Sequence, residues 1–145
     1  MRTAFTKEQL ADPHLNEAEH ALRTCIHCGF CTATCPTYVL LGDERDGPRG
    51  RITLIQTMLE SGKPPTPETV LHLDRCLSCL GCKTACPSGV DYSALIDAAR
   101  IHIAKTYTRP FPERALRSFI LFVLMRPGLF AFASAIARSA LCQRS

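Results

Sequence analysis

Eight of the nine cysteines fall into two runs of the same spacing. The first reads Cys25-Ile-His-Cys28-Gly-Phe-Cys31-Thr-Ala-Thr-Cys35-Pro36, and the second Cys76-Leu-Ser-Cys79-Leu-Gly-Cys82-Lys-Thr-Ala-Cys86-Pro87. Both are C-x2-C-x2-C-x3-C-P, and the second repeats the first at an offset of 51 residues in all five shared positions. Three thiolates at x2 spacing wrap one face of a cubic iron–sulfur cluster, and a [4Fe–4S] cube needs a fourth from another direction. Zinc is the rival metal, because two C-x2-C pairs build a tetrahedral four-thiolate site. A zinc site, however, requires neither a third cysteine at x2 nor a fourth at x3 followed by proline. Disulfides are the remaining use of so many cysteines. Residues 1–24 contain Glu8, Asp12, Glu17 and Glu19 and no apolar stretch of the kind a secretion signal carries. In a reducing compartment tight cysteine runs are metal ligands.

In two-cluster proteins with this spacing, the fourth cysteine of each run ligates the other cluster. The expected ligands are therefore Cys25, Cys28, Cys31 and Cys86 for a first [4Fe–4S] cluster, and Cys76, Cys79, Cys82 and Cys35 for a second. The crossing ties the two runs together, holds the clusters close enough for electron transfer, and makes folding depend on metal. Gly29 and Gly81 are expected to supply the tight curvature of the loops, and Pro36 to terminate the turn after Cys35. His27 reads as a partly exposed loop residue, since eight thiolates already complete two sites. Arg23, Arg75 and Lys83 flank the loops; raising the cluster potential, docking an acidic partner and plain solvation are all open to them. Cys142 reads as a free thiol. No nucleophile–base pair or phosphate loop is visible, and Gly42, Gly47 and Gly50 do not form a dinucleotide fingerprint. The residues offer a route for electrons and no substrate site.

The elements that must position these loops read as helices. The chain has 145 residues, 46% hydrophobic and 21% charged, which is enough for one globular domain. No strand pattern appears. A helix is expected over 6–22, with Thr6 and Gln9 as a capping box and a break or restart at Asp12-Pro13. Residues 42–50 read as a polar turn region. Ile52, Ile55 and Leu59, with Leu54 and Met58, form an apolar helical face closed at Ser61-Gly62. Thr66 caps a short helix with Pro67 at its first position; through Val70, Leu71 and Leu73 it delivers Cys76. After a turn at Ser88-Gly89, Asp91 caps a helix over 92–107. It carries Ile96, Ala99, Ile103 and Tyr107 at helical spacing and packs over the metal sites.

The tail differs in charge. Residues 1–99 carry 9 Lys/Arg against 12 Asp/Glu, whereas residues 100–145 carry 8 Lys/Arg and the single acid Glu113. This asymmetry points the tail toward an anionic surface or partner; no groove-reading motif accompanies it, so nucleic acid is not expected. Two apolar blocks, 119–125 and 129–137, are split by Arg126-Pro127-Gly128, and each is short of the ~20 residues of a membrane span. Docking on another domain or subunit is the favoured reading; a helix lying on a membrane surface is the alternative.

The 40 residues between Cys35 and Cys76 read as helices, and in this the chain resembles the α-helical ferredoxin module of succinate dehydrogenase and heterodisulfide reductase. The phrases CIHCGFCTATCPTY, LLGDERDGPRGRI, HLDRCLSCLGCKTACPSGVDY and RPFPERALR are similar to the iron–sulfur subunit of bacterial glycolate oxidase. That resemblance implies a mainly α fold, with residues 1–110 an α-helical ferredoxin domain for two [4Fe–4S] clusters. It implies flavin-bearing partner subunits, with FAD on them and not on this chain, which oxidise glycolate to glyoxylate. Electrons would pass through the clusters toward quinone and the respiratory chain, at the cytoplasmic face of the inner membrane. Only the eight cysteines carry over as site residues, and the chain is expected to be the electron-transfer subunit of an oxidoreductase with no substrate site of its own. Related lactate or glycerol-3-phosphate dehydrogenases, heterodisulfide-reductase-like complexes and a non-catalytic iron–sulfur regulator are the alternatives. The family continues into two further cysteine-rich domains with CCG-type motifs. This sequence stops at Ser145 and has no adjacent cysteines. A fragment, a truncated product or a reduced form is therefore expected, with residues 111–145 a basic apolar tail leading toward the absent domains.

Overall fold

Proline begins helix after helix in this computed structural model, which describes residues 1–131 and Ser134. Helices α1 (Pro13–Thr24), α2 (Pro36–Leu41), α3 (Pro48–Ser61) and α4 (Pro67–Asp74) each open on one. Proline lacks only an N–H that the first turn leaves unpaired anyway, and its fixed φ suits the helix start. Helices α5 (Gly81–Thr84), α6 (Tyr92–Thr106) and α7 (Phe111–Leu124) follow, with 3-10 turns at Gln9–Ala11 and Glu44–Asp46. Among the described residues there is no strand.

The expected caps are in place. Thr6 and Gln9 exchange side-chain-to-backbone hydrogen bonds of 2.8 and 3.2 Å, but they close only the 3-10 turn. Asp12 restarts the chain as α1 by accepting from the His14 N–H. Thr66 accepts from the Thr69 N–H at the head of α4, and Asp91 from the Ser93 and Ala94 N–H groups at the head of α6. Gly62 closes α3, its N–H bonded to the Met58 and Leu59 carbonyls.

One expectation is extended and two are corrected. The turn over 30–34 does stop before Pro36, but Pro36 is also the first residue of α2, a helix the hydrophobic pattern did not reveal, and Cys35 is its extended N-cap (φ −90°, ψ 113°). The residue before a proline is held out of the helical region, so Cys35 leaves the helix axis while Pro36 enters it. The stretch 42–50 is not all turn, because α3 starts at Pro48 and includes Gly50. A Cβ on Gly50 would stand 2.1 Å from the Glu44 carbonyl oxygen, so only glycine lets α3 lie against the 3-10 turn. In α4, Leu71 is exposed and His72 is buried with Val70 and Leu73. At 100° per residue, Leu71 lies opposite the arc spanned by the other three.

Residues Met1–Tyr107 form one compact unit. Its core gathers Ala18 and Leu22 of α1, Ile52, Ile55 and Leu59 of α3, Val70 and Leu73 of α4, and Leu95, Ile96, Ala99 and Ile103 of α6. Both α1 and α3 pack on α6. Each large branched side chain buried here contributes about 1.5–3 kcal/mol. The cysteine loops leave the ends of α1 and α4, so this core sets where they start.

The second unit, Thr108–Ser145, contains α7. Within it Arg109 and Arg117 both bind Glu113, and the Arg126 guanidinium sits 4.2 Å over the Phe122 ring. Phe119, Ile120, Leu121, Phe122 and Leu124 are exposed. No helix among the described residues is long and apolar enough to cross a membrane. Part of the 129–137 block, and Cys142, lie outside the described residues.

Candidate metal centre

The two cysteine loops share one backbone conformation. His27 (φ 56°) and Gly29 (φ 84°) are left-handed in the first, and Ser78 (φ 52°) and Leu80 (φ 57°) in the second, again 51 residues on. Left-handed residues two apart give both loops the same sharp curvature. Non-glycine residues are held there at about 1–2 kcal/mol each. Gly29 thus has the expected role and Gly81 does not. The left-handed residue of the second loop is Leu80, and Gly81 opens α5.

Two hollows lie between the loops. The first is lined by Cys25, Cys28, Cys31, Cys82 and Cys86, and the second by Cys35, Cys76, Cys79 and Cys82. Pro48, Cys82 and Tyr92 border both and form the wall between them. The thiols are crowded. Burial, then the charges of Cys31, Cys76, Cys35 and Cys79, push Cys82 up to about 12. Burial also raises Cys31, with Cys25, Cys86 and Cys28 adding to it against a backbone hydrogen bond that lowers it. Thiols packed this densely repel one another as thiolates, and bound iron ions would offset that repulsion. The donor set fits iron–sulfur chemistry: five soft sulfurs line the first hollow and four the second, with Cys82 shared, and no carboxylate or imidazole lines either other than the half-buried His27. Burial, then Arg49 and the N-terminal amine, lower the His27 pKa, and its ring faces the Met1 sulfur.

The three cations that flank the loops are tied to carboxylates of the chain itself. Arg23 pairs with Glu19 at 2.9 Å, Lys83 with Asp91 at 2.9 Å, and Arg75 with Asp46 at 2.8 Å.

Behind the second hollow stands a network that the sequence pattern did not reveal. Asp46 (0% exposed), Arg51 (1%) and His72 (3%) are buried together. The Asp46 carboxylate accepts from His72 Nδ1 at 2.9 Å and Arg75 Nη1 at 2.8 Å, and lies 3.6 Å from Arg51 Nη2. Arg51 donates from Nε to the His72 carbonyl (2.8 Å), from Nη2 to Thr37 Oγ1 (3.1 Å) and from Nη1 to Cys35 Sγ (3.7 Å). The Thr37 hydroxyl lies 2.8 Å from the Asp46 carbonyl and 3.2 Å from Cys35 Sγ. Burial would raise the Cys35 thiol, but the Thr37 hydroxyl, neighbouring N–H groups and the Arg51 charge together lower it. The sequence carried one signal for this. Arg51 occupies the same stripe of α3 as Ile55 and Met58, four and seven positions on, where a charge needs a buried partner.

The hollows, their sulfur lining and the all-helical scaffold define an iron–sulfur protein of the ferredoxin type. Residues 24–90 match the family model of the 4Fe-4S dicluster domain. Over 130 residues, 90% of its length, the chain is 53% identical to the glycolate oxidase iron–sulfur subunit of Escherichia coli. It is 36% identical over 128 residues to a probable glycolate oxidase iron–sulfur subunit of Bacillus subtilis. The resemblance carried by the sequence phrases therefore extends along most of the chain, which spans 32% and 29% of those two relatives. A component of the ferredoxin:CoB-CoM heterodisulfide reductase of Methanosarcina mazei is 29% identical over 97 residues, 63% of this chain and 52% of the relative. No solved structure matches.

Proposed function

We propose that the chain carries electrons through two [4Fe–4S] clusters within a glycolate-oxidising complex. Cys25, Cys28, Cys31 and Cys86 would hold one cluster, and Cys76, Cys79, Cys82 and Cys35 the other. The observation that carries this reading is the lining of the hollows, each of which draws its sulfurs from both runs. Cys82 borders both; assigning it to the second set leaves four ligands on each side. When bound, such clusters accept and release single electrons. The chain's own residues do the rest. The two loops bring the sulfurs of both runs together, Tyr92 and Pro48 fill the wall between the sites, and the core of α1, α3 and α6 fixes the separation. Cys28 and Cys79 are exposed, with Ile26 and Leu77 beside them, so each site has an edge open to a donor or acceptor.

The similarity to glycolate oxidase subunits supports a flavin-bearing partner as donor, with FAD on the partner, and an acceptor in the quinone pool at the cytoplasmic face of the membrane. The relatives from heterodisulfide reductases support a second reading, an electron-transfer subunit of a complex of that type.

Anaerobic purification with iron and sulfide analysis and EPR tests the cofactor. About eight irons per chain, with spectra of cubic clusters, is the expected result. Cys35→Ser is expected to perturb the cluster of Cys76, Cys79 and Cys82 before that of Cys25, Cys28 and Cys31; the reverse order would sink the crossed assignment. In the complex assembled with its flavoprotein, glycolate is expected to reduce the clusters. Reduction by lactate or glycerol-3-phosphate but not by glycolate would overturn the substrate assignment.

A further inference from the structure

The two hollows are alike in backbone and unlike in side-chain donors. Position 35 and its repeat, position 86, show the difference. Cys86 Sγ accepts the Val90 backbone N–H at 3.5 Å. Cys35 Sγ instead meets the Thr37 hydroxyl at 3.2 Å and the Arg51 guanidinium at 3.7 Å, both from side chains tied into the Asp46 network, with the Asp46 carbonyl oxygen 3.6 Å away. On the same side of the wall, the hydroxyl of the buried Tyr92 lies 3.8 Å from Cys76 Sγ. Arg51 is the cation beside Cys35 and lies 3.6 Å from the buried Asp46 carboxylate, which Arg75 also binds from a partly exposed side chain. The first hollow has a cation too, Arg49, but it is partly exposed and bound to Glu44 at 2.6 Å, where water screens it.

We propose that the site completed by Cys35 is the higher-potential one of the pair, and that Arg51 is the positioning residue that makes it so. The proposal rests on the two-cluster reading above. Adding an electron makes a cluster more negative. Hydrogen bonds to its sulfurs and a buried positive charge favour that reduced form and raise the potential. At Cys35 the charge is nine-tenths and more out of water, so it acts at low dielectric. Electrons entering the chain therefore come to rest on the Cys35 side, and the Cys86 side passes them on or receives them.

The test is an anaerobic redox titration of the iron-loaded full chain, with dithionite as reductant and EPR as readout. The native chain is expected to show two reduction waves, and Cys79→Ser to perturb the upper one. Arg51→Gln is expected to lower the upper wave alone, by about tenfold in the reduced-to-oxidised ratio at fixed potential, about 59 mV for a one-electron couple. Arg51→Lys, which keeps the charge and loses the fork, is expected to recover part of that shift. Tyr92→Phe lowers the same wave by less. An unmoved upper wave in Arg51→Gln, or a shift confined to the lower wave, overturns the proposal. Should Arg51→Gln fail to load iron, Tyr92→Phe and Thr37→Val, which leave the Asp46 ion pairs intact, decide it by the same criterion. A native chain with about four irons would instead overturn the two-cluster reading itself.

Discussion

Asp46 has no exposed surface and is surrounded by His72, Arg75 and Arg51. A buried carboxylate of this kind is tolerated because its partners are fixed, and removing it takes the counter-charge from the buried Arg51. Asp46→Ala is expected to destabilise the loaded chain by about 3–5 kcal/mol, read as a lower denaturation midpoint at unchanged iron content; a loss below about 1 kcal/mol would mean that water reaches the site. Gly50 carries a different constraint. Its substitution by alanine forces a Cβ into the Glu44 backbone, and overpacking of this kind costs about 1–3 kcal/mol. Thermal unfolding of Gly50→Ala beside Gly128→Ala, where a Cβ meets nothing within 4 Å, isolates that contact. That the two cysteine runs belong together was legible at this scale, because residue type and spacing are properties of the chain itself. Asp46, Arg51 and His72 were not. They meet across 26 positions of sequence, and isolated charges read as surface.

At the level of elements, the caps and the turn at Ser88-Gly89 were legible, and the extent of the turn over 42–50 was not. Asp12, Thr66 and Asp91 each accept a backbone N–H within three residues, a local interaction that the local sequence specifies. Asp91→Ala is expected to cost about 0.5–2 kcal/mol in thermal unfolding, and Asp91→Asn less, because the amide oxygen still caps. The Ser93 hydroxyl first, then the Lys83 ammonium and the Ala94 N–H, pull the Asp91 carboxyl down to about 2. Its folded pKa lies below the unfolded value. The contribution is therefore complete above the ordinary carboxylate range and lost as pH falls through about 2. A difference between native and Asp91→Asn chains that persisted unchanged at pH 2 would contradict this. Pro36 shows the limit of such reading. A proline after the last cysteine fits both a turn end and a helix start, and the choice depends on where residues 36–41 can pack.

For the whole molecule, the division between apolar core and sulfur loops sets the response to metal loss. The core of α1, α3, α4 and α6 is hydrocarbon, whereas residues 25–35 and 76–90 depend on the thiol sites to close. Iron removal by an anaerobic chelator is expected to bleach the chain and lower its melting temperature. It should open these two loops to protease before the core helices. Protection of the loops in the stripped chain would show that packing alone holds them. The α7 unit follows other physics, since its apolar side chains are exposed and its charge is basic.

By itself the sequence determined the helical class and the doubled cysteine motif, because spacing, capping and amphipathic period act over a few residues. Its resemblance to known iron–sulfur subunits was legible in the same local phrases. The tertiary structure decided what stands behind each thiol. It put Arg51 and Thr37 beside Cys35, left a single backbone N–H at Cys86, and put the Tyr92 hydroxyl beside Cys76. Two runs of one spacing became two unequal sites. That inequality comes from helices packed across long separations, and no local pattern in the chain encodes it.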